Sequence, residues 1–171
     1  MKTAAMEGNR DSDPPRLVYV SRLRTRGNLT DPDVEVASWK RRQPPLLLAA
    51  QENRPDEIKR LIERGRSVNI RNSCDETALH MAVSYGNPDC VRVLLNEKSC
   101  EIDAQDAYGL TPLMTAVQKL QCKFDGSKEC IKILCDNKVN TKLTAFGSGE
   151  TALDYALQGK PDPEVVEWLR G

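Results

Sequence analysis

Apolar positions recur along this chain in one fixed pattern. From starts at residues 44, 77, 111 and 151, apolar side chains follow two, five and six places on. They are Leu46, Ala49 and Ala50; Leu79, Ala82 and Val83; Leu113, Ala116 and Val117; and Leu153, Ala156 and Leu157. This i, i+3, i+4 spacing puts each set on one helical face. A second stripe begins fourteen residues after the start in three copies, at Ile58, Leu61 and Ile62, at Val91, Leu94 and Leu95, and at Val165, Trp168 and Leu169. In the third copy it is Ile131, Leu134 and Cys135, delayed by six residues. Each copy therefore reads as two short helices joined by a turn. Neither could bury its stripe alone, so neighbouring copies must stack.

The residues at the starts suit helix entry. Thr77, Thr111 and Thr151 are placed to accept a hydrogen bond from an unpaired first-turn amide, and Pro112 sits where a missing N–H costs nothing. Ala49, Ala82, Ala116 and Ala156 share one column, as close packing of paired helices requires. Gly65 suits a left-handed helix end, whereas Lys98 and Lys138 stand near that place in copies two and three and predict poorer ends.

With these residues in view, the chain from about Trp39 onward resembles the ankyrin-repeat family. The family's Thr-Pro-Leu-His-x-Ala signature is matched by Thr77-Ala78-Leu79-His80-Met81-Ala82 and by Thr111-Pro112-Leu113-Met114-Thr115-Ala116. Val68 to Asn72 and Ile102 to Asp106 look like the stretch that enters the family's β-hairpin finger, and Asp106, Gly109 and Thr111 follow the finger pattern. The resemblance implies an all-α repeat fold, a solenoid of helix-turn-helix units with β-hairpin fingers. Departures are Pro44-Pro45 and Leu47 in copy one, which remove its cap, and six extra residues in copy three around 120–127. Copy four should be the C-terminal cap, with Trp168 covering the end of the stack.

Length and charge narrow the picture further. The 171 residues allow one repeat domain over 39–171 with a tail over 1–38. The 25 basic and 25 acidic side chains give no sign of a broad nucleic-acid or membrane-surface binder. No apolar run resembles a signal peptide or a bilayer span, so a cytoplasmic or nuclear, non-secreted monomer is expected. The tail has turn-rich stretches around Asp11–Pro15 and Asn28–Asp33, with an apolar patch at Leu17–Val20. It reads as mostly disordered or extended, with Asp33 to Arg42 docking on the first copy.

Chemistry-bearing residues are few. The six cysteines form no C-x-x-C pair and only one histidine is present, so common zinc spacings are absent. Cys90, Cys130 and Cys135 read as partly buried reduced thiols, and Cys74 and Cys122 as exposed ones. His80, three residues after Thr77, fits a side chain that bonds back to the helix start, with no accompanying nucleophile or carboxylate. No enzyme and no cofactor are expected. Trp39-Lys40-Arg41-Arg42 reads as a solvated helix approach or first finger, and the sequon at Asn28 as chance.

The resemblance also implies where a protein partner would touch: finger tips and the open side of each first helix. By position these are Arg71, Ser73, Cys74, Glu76, Ser84 and Tyr85; Gln105, Ala107, Tyr108, Leu110, Gln118 and Lys119; and Ser148 and Glu150. Tyr85 and Tyr108 stand out as aromatic anchors. The expected function is a protein-protein interaction module, whether adaptor, scaffold or small inhibitor. Inhibition of a transcription factor and a structural or truncated repeat product are the alternatives. Arg71→Ala and Tyr108→Ala should both weaken binding without changing stability.

Overall fold

The computed structural model describes residues 43–122, 125–158 and 161–170. The expected tail over 1–38 lies outside them, as do the docking of Asp33 to Arg42 and the side chain of Phe124. Eight helices follow in pairs among the described residues: α1 Pro45–Gln51 and α2 Pro55–Glu63, α3 Ala78–Ser84 and α4 Pro88–Leu95, α5 Pro112–Gln121 and α6 Ser127–Asp136, α7 Ala152–Leu157 and α8 Pro163–Arg170. None of these helices is long and apolar enough to cross a membrane.

Each first helix packs on its own second helix and on the first helix of the next unit, and second helices stack likewise. The two stripes thus merge into one core running through all four units, from Leu46 and Ile58 through Leu79, Val91, Leu113 and Ile131 to Ala156 and Val165. Fully burying one such aliphatic side chain contributes about 1.5–3 kcal/mol, so the core outweighs the weak intrinsic stability of helices this short.

The helix starts behave as their sequence dictates. Thr111 Oγ1 accepts from the Met114 amide, and Thr77 with His80 and Thr151 with Asp154 form capping boxes. Pro44 offers no side-chain cap to α1. Pro55, Pro88 and Pro163 fill the first positions of α2, α4 and α8. Asn87 reaches across a unit boundary, its Nδ2 donating to the last-turn carbonyls of Ala50 (2.8 Å) and Gln51 (3.1 Å).

Several expectations are corrected. Stripe-two positions Ile62, Leu95, Cys135 and Trp168 are only half-buried, and Ile133 is buried in place of Cys135. In α7, Leu153 is half-buried and Leu157 is 48% exposed, because Ala152 and Ala156 make the inward contact. Trp168 turns back toward the third unit, its ring 6.0 Å from the Lys128 ammonium of α6, and does not cover the end. Lys98 is not the left-handed residue of its turn: copy two closes through Glu97 N–H to Leu94 O. Lys138, by contrast, does adopt φ 58°. The fingers are tight turns with only single bridging pairs, Arg71 with Thr77 and Thr144 with Thr151, so no extended strand forms among the described residues.

The insertion of copy three is divided. Three of its residues lengthen α5 to ten, against seven in α1 and α3. Before α6, Gly86 and Gly126 bring two backbones together. A Cβ on Gly86 would lie 2.0 Å from Asp125 O, and one on Gly126 2.2 Å from Gly86 O.

Candidate finger and first-helix interface

Each finger is built by a short side chain folding the backbone onto itself. Asn72 Oδ1 accepts from the amides of Cys74 (2.9 Å) and Glu76 (3.0 Å). Asp106 Oδ1 does the same for Tyr108 (2.8 Å) and Leu110 (2.9 Å), thirty-four residues later. The fourth finger has Ala145 at its base and closes one residue later, Ala145 N–H donating to Glu150 O. There Ser148 Oγ accepts from the Glu150 amide, and Gly147 and Gly149 take positive φ.

Neighbouring fingers are tied together along their tips. Ala107 N–H donates to Cys74 O (3.0 Å) and Phe146 N–H to Tyr108 O (2.9 Å). Below them runs a second row. The Arg71 guanidinium donates to Gln105 O (2.8 Å) and Asp75 O (3.2 Å) and pairs with Glu101 (3.0 Å). Gln105 Nε2 in turn donates to Gly109 O (2.8 Å) and Thr144 O (3.0 Å). A third row joins the turns, with Asn69 Oδ1 accepting from Glu101 N–H and Asp103 Oδ1 from Asn140 N–H, both at 2.9 Å.

This wiring sorts the residues singled out from sequence. Arg71, itself exposed, and Gln105 tie neighbouring fingers together through their terminal nitrogens. Glu76 is half-buried and accepts from Asn72 Nδ2 (2.7 Å), Glu150 accepts from Gln158 Nε2, and half-buried Leu110 packs on the core. Ser84, Gln118 and Lys119 are half-buried along the first helices. Ser73, Cys74, Ala107, Tyr108 and Ser148 are exposed at the tips, and Tyr85 is exposed at the far end of α3.

Phe146 was missed by sequence reasoning. It is 62% exposed, beside Tyr108 at 52%. A Cβ on Gly109 would come within 2.5 Å of Phe146 N and Cγ, so the lack of one lets the Phe146 ring and backbone settle on the third finger. The available signal was Ala145-Phe146-Gly147 repeating the Ala107-Tyr108-Gly109 order, hidden by the longer turn.

The second helices carry ion pairs of their own. Arg92 pairs with Glu129 (2.6 Å), and Lys128 with Asp162 (2.8 Å) and Glu164 (2.6 Å), around a shallow groove that includes Ile133 and Trp168. The thiols deeper in the units are inert at neutral pH. Burial pushes Cys90, Cys100 and Cys135 up to about 11 and Cys130 up to about 12.

Comparison with known proteins agrees with this geometry. A family model described as ankyrin repeats in three copies matches residues 46–124 and 100–171. The chain is 28% identical over 142 residues to the mouse NF-kappa-B inhibitor delta, covering 74% of this chain and 43% of that protein. It is 28% identical over 120 residues to the mouse B-cell lymphoma 3 protein homolog, 68% of this chain and 25% of that one. It is 40% identical over 89 residues to serine/threonine-protein kinase 12 of Arabidopsis thaliana, 52% of this chain but 18% of the kinase. The chain thus spans less than half the length of each of these relatives.

Proposed function

The chain belongs to the ankyrin-repeat family, a protein-interaction architecture, and from that premise we propose that it binds a protein partner across the finger tips and the open side of the first helices. The residues in contact would be Ser73, Cys74, Ala107, Tyr108, Phe146 and Ser148 at the tips, with Tyr85, Gln118 and Lys119 on the helices. Tyr108 and Phe146 carry this reading. Two exposed aromatic residues joined by a main-chain hydrogen bond offer large contact area on a backbone already fixed, so little ordering entropy is lost on association. Arg71 and Gln105 support that surface through their bonds to the neighbouring finger's carbonyls.

A domain over 39–171, acting as a monomer in the cytoplasm or nucleus without catalytic activity, is part of the same reading. The likeness to a protein named as an NF-kappa-B inhibitor favours one finer version, in which the chain restrains a transcription factor. The test is affinity capture from the native cell type with the wild-type chain, Tyr108→Ala, Phe146→Ala and the back-face control Lys132→Ala as baits. Loss of the same partner from both aromatic variants, but not from the control, supports the assignment. Equal capture by all four refutes it.

A further inference from the structure

The outer side of α1 is less covered than the matching side of the first helices in units two and three. In units two and three the first helical residue and the one three places on are buried against the preceding unit, as Ala78 with Met81 and Pro112 with Thr115. At the same two positions of α1, Pro45 is exposed and Leu48 half-buried. The same unit holds two buried side-chain oxygens without a hydrogen-bond partner, Gln43 Oε1 and Gln51 Oε1. Residues 1–43 contain no further copy of the repeat to pack there.

We propose that Asp33 to Arg42 of this chain fold back over the outer side of α1, with Trp39 seated against Pro45 and Leu48. The segment supplies the apolar side chains Val34, Val36 and Trp39 and, at Ser38, Lys40, Arg41 and Arg42, donors for the glutamine oxygens. Reach is not limiting. Ten residues span up to about 33 Å when extended, whereas the seven-residue α1 is about 10 Å long. Covering the open end of a stacked repeat removes apolar surface from water, which is the role of a capping segment in such arrays.

Trp39 reports on this directly, because the chain has two tryptophans and Trp168→Phe leaves it as the only one. In the full chain carrying Trp168→Phe, Trp39 emission should be blue-shifted from free N-acetyltryptophanamide, with several-fold weaker quenching by acrylamide, both independent of protein concentration. Adding Leu48→Glu should return both signals to the free-indole values. Pro45→Glu, at an exposed position that leaves the core intact, should do the same and guards against unfolding by the first change. Free-indole behaviour in a chain that is folded by circular dichroism overturns the proposal. So does protection that appears only where sedimentation shows a dimer, or protection that survives both substitutions.

Discussion

Nε2 of His80 lies 3.0 Å from the carbonyl oxygen of Leu110, so the single histidine of the chain joins unit two to the third finger. Its tautomer follows from its other neighbour. The Thr77 backbone amide, 3.2 Å from Nδ1, can only donate, so Nδ1 accepts and Nε2 carries the proton. Leu47 occupies the same place in unit one, fully buried, where Pro44 has no N–H to satisfy. In unit four Asp154 accepts from the Thr151 amide at 2.8 Å.

Burial holds the His80 imidazole below its ordinary value of 6.5, against the opposing pull of the Leu110 carbonyl. A lowered folded-state value means the unfolded chain binds the proton more readily. The histidine's contribution is therefore complete above about pH 6.5 and is lost as pH falls through the lower folded value. His80→Ala should cost about 2–4 kcal/mol at pH 7.5, from the cavity and the stranded Thr77 amide, while Leu110 O keeps its bond from the Asp106 amide. The gap between variant and wild type in urea unfolding should narrow on acidification toward pH 5. A gap that stays constant over that range would contradict the lowered imidazole value.

Arg71 and Tyr108 should separate cleanly. Arg71→Ala removes the ties to Gln105 and Glu101 and should lower stability by about 1 kcal/mol, most of it from the carbonyl bonds, since exposed ion pairs contribute little. Tyr108→Ala should change stability by less than about 0.5 kcal/mol, as surface substitutions usually do. Thermal melts of both variants test this, and equal stabilities would show that the Arg71 row does not hold the fingers.

Lys138 sits at φ 58°, a left-handed conformation that glycine takes at the same turn in unit one, where Gly65 has φ 80°. Lys138→Gly should relieve that strain and raise stability by about 0.5–1 kcal/mol, net of the greater freedom of glycine in the unfolded chain. A melting temperature at or below that of wild type would count against it.

Stacking was legible in the sequence because it rests on periodicity, and Leu79, Ala82, Val83 and their counterparts in the next unit are buried where the spacing put them. The roles of Arg71 and Gln105 were not. Their carbonyl partners in the neighbouring finger lie thirty-four to thirty-nine residues away, and backbone acceptors leave no mark in a sequence. Phe146 was obscured by a one-residue change in turn length, and Leu157 by the fact that a stripe shows which face is apolar but not whether anything packs on it.

Hydrogen exchange of the chain with and without a captured partner tests the central claim most directly. Binding should protect amides at 73–76, 105–110 and 144–150 and at the ends of α3 and α5, with α2, α4 and α6 unchanged. Protection concentrated on α4 and α6 around Arg92 and Lys132, with the finger tips unaffected, would contradict it.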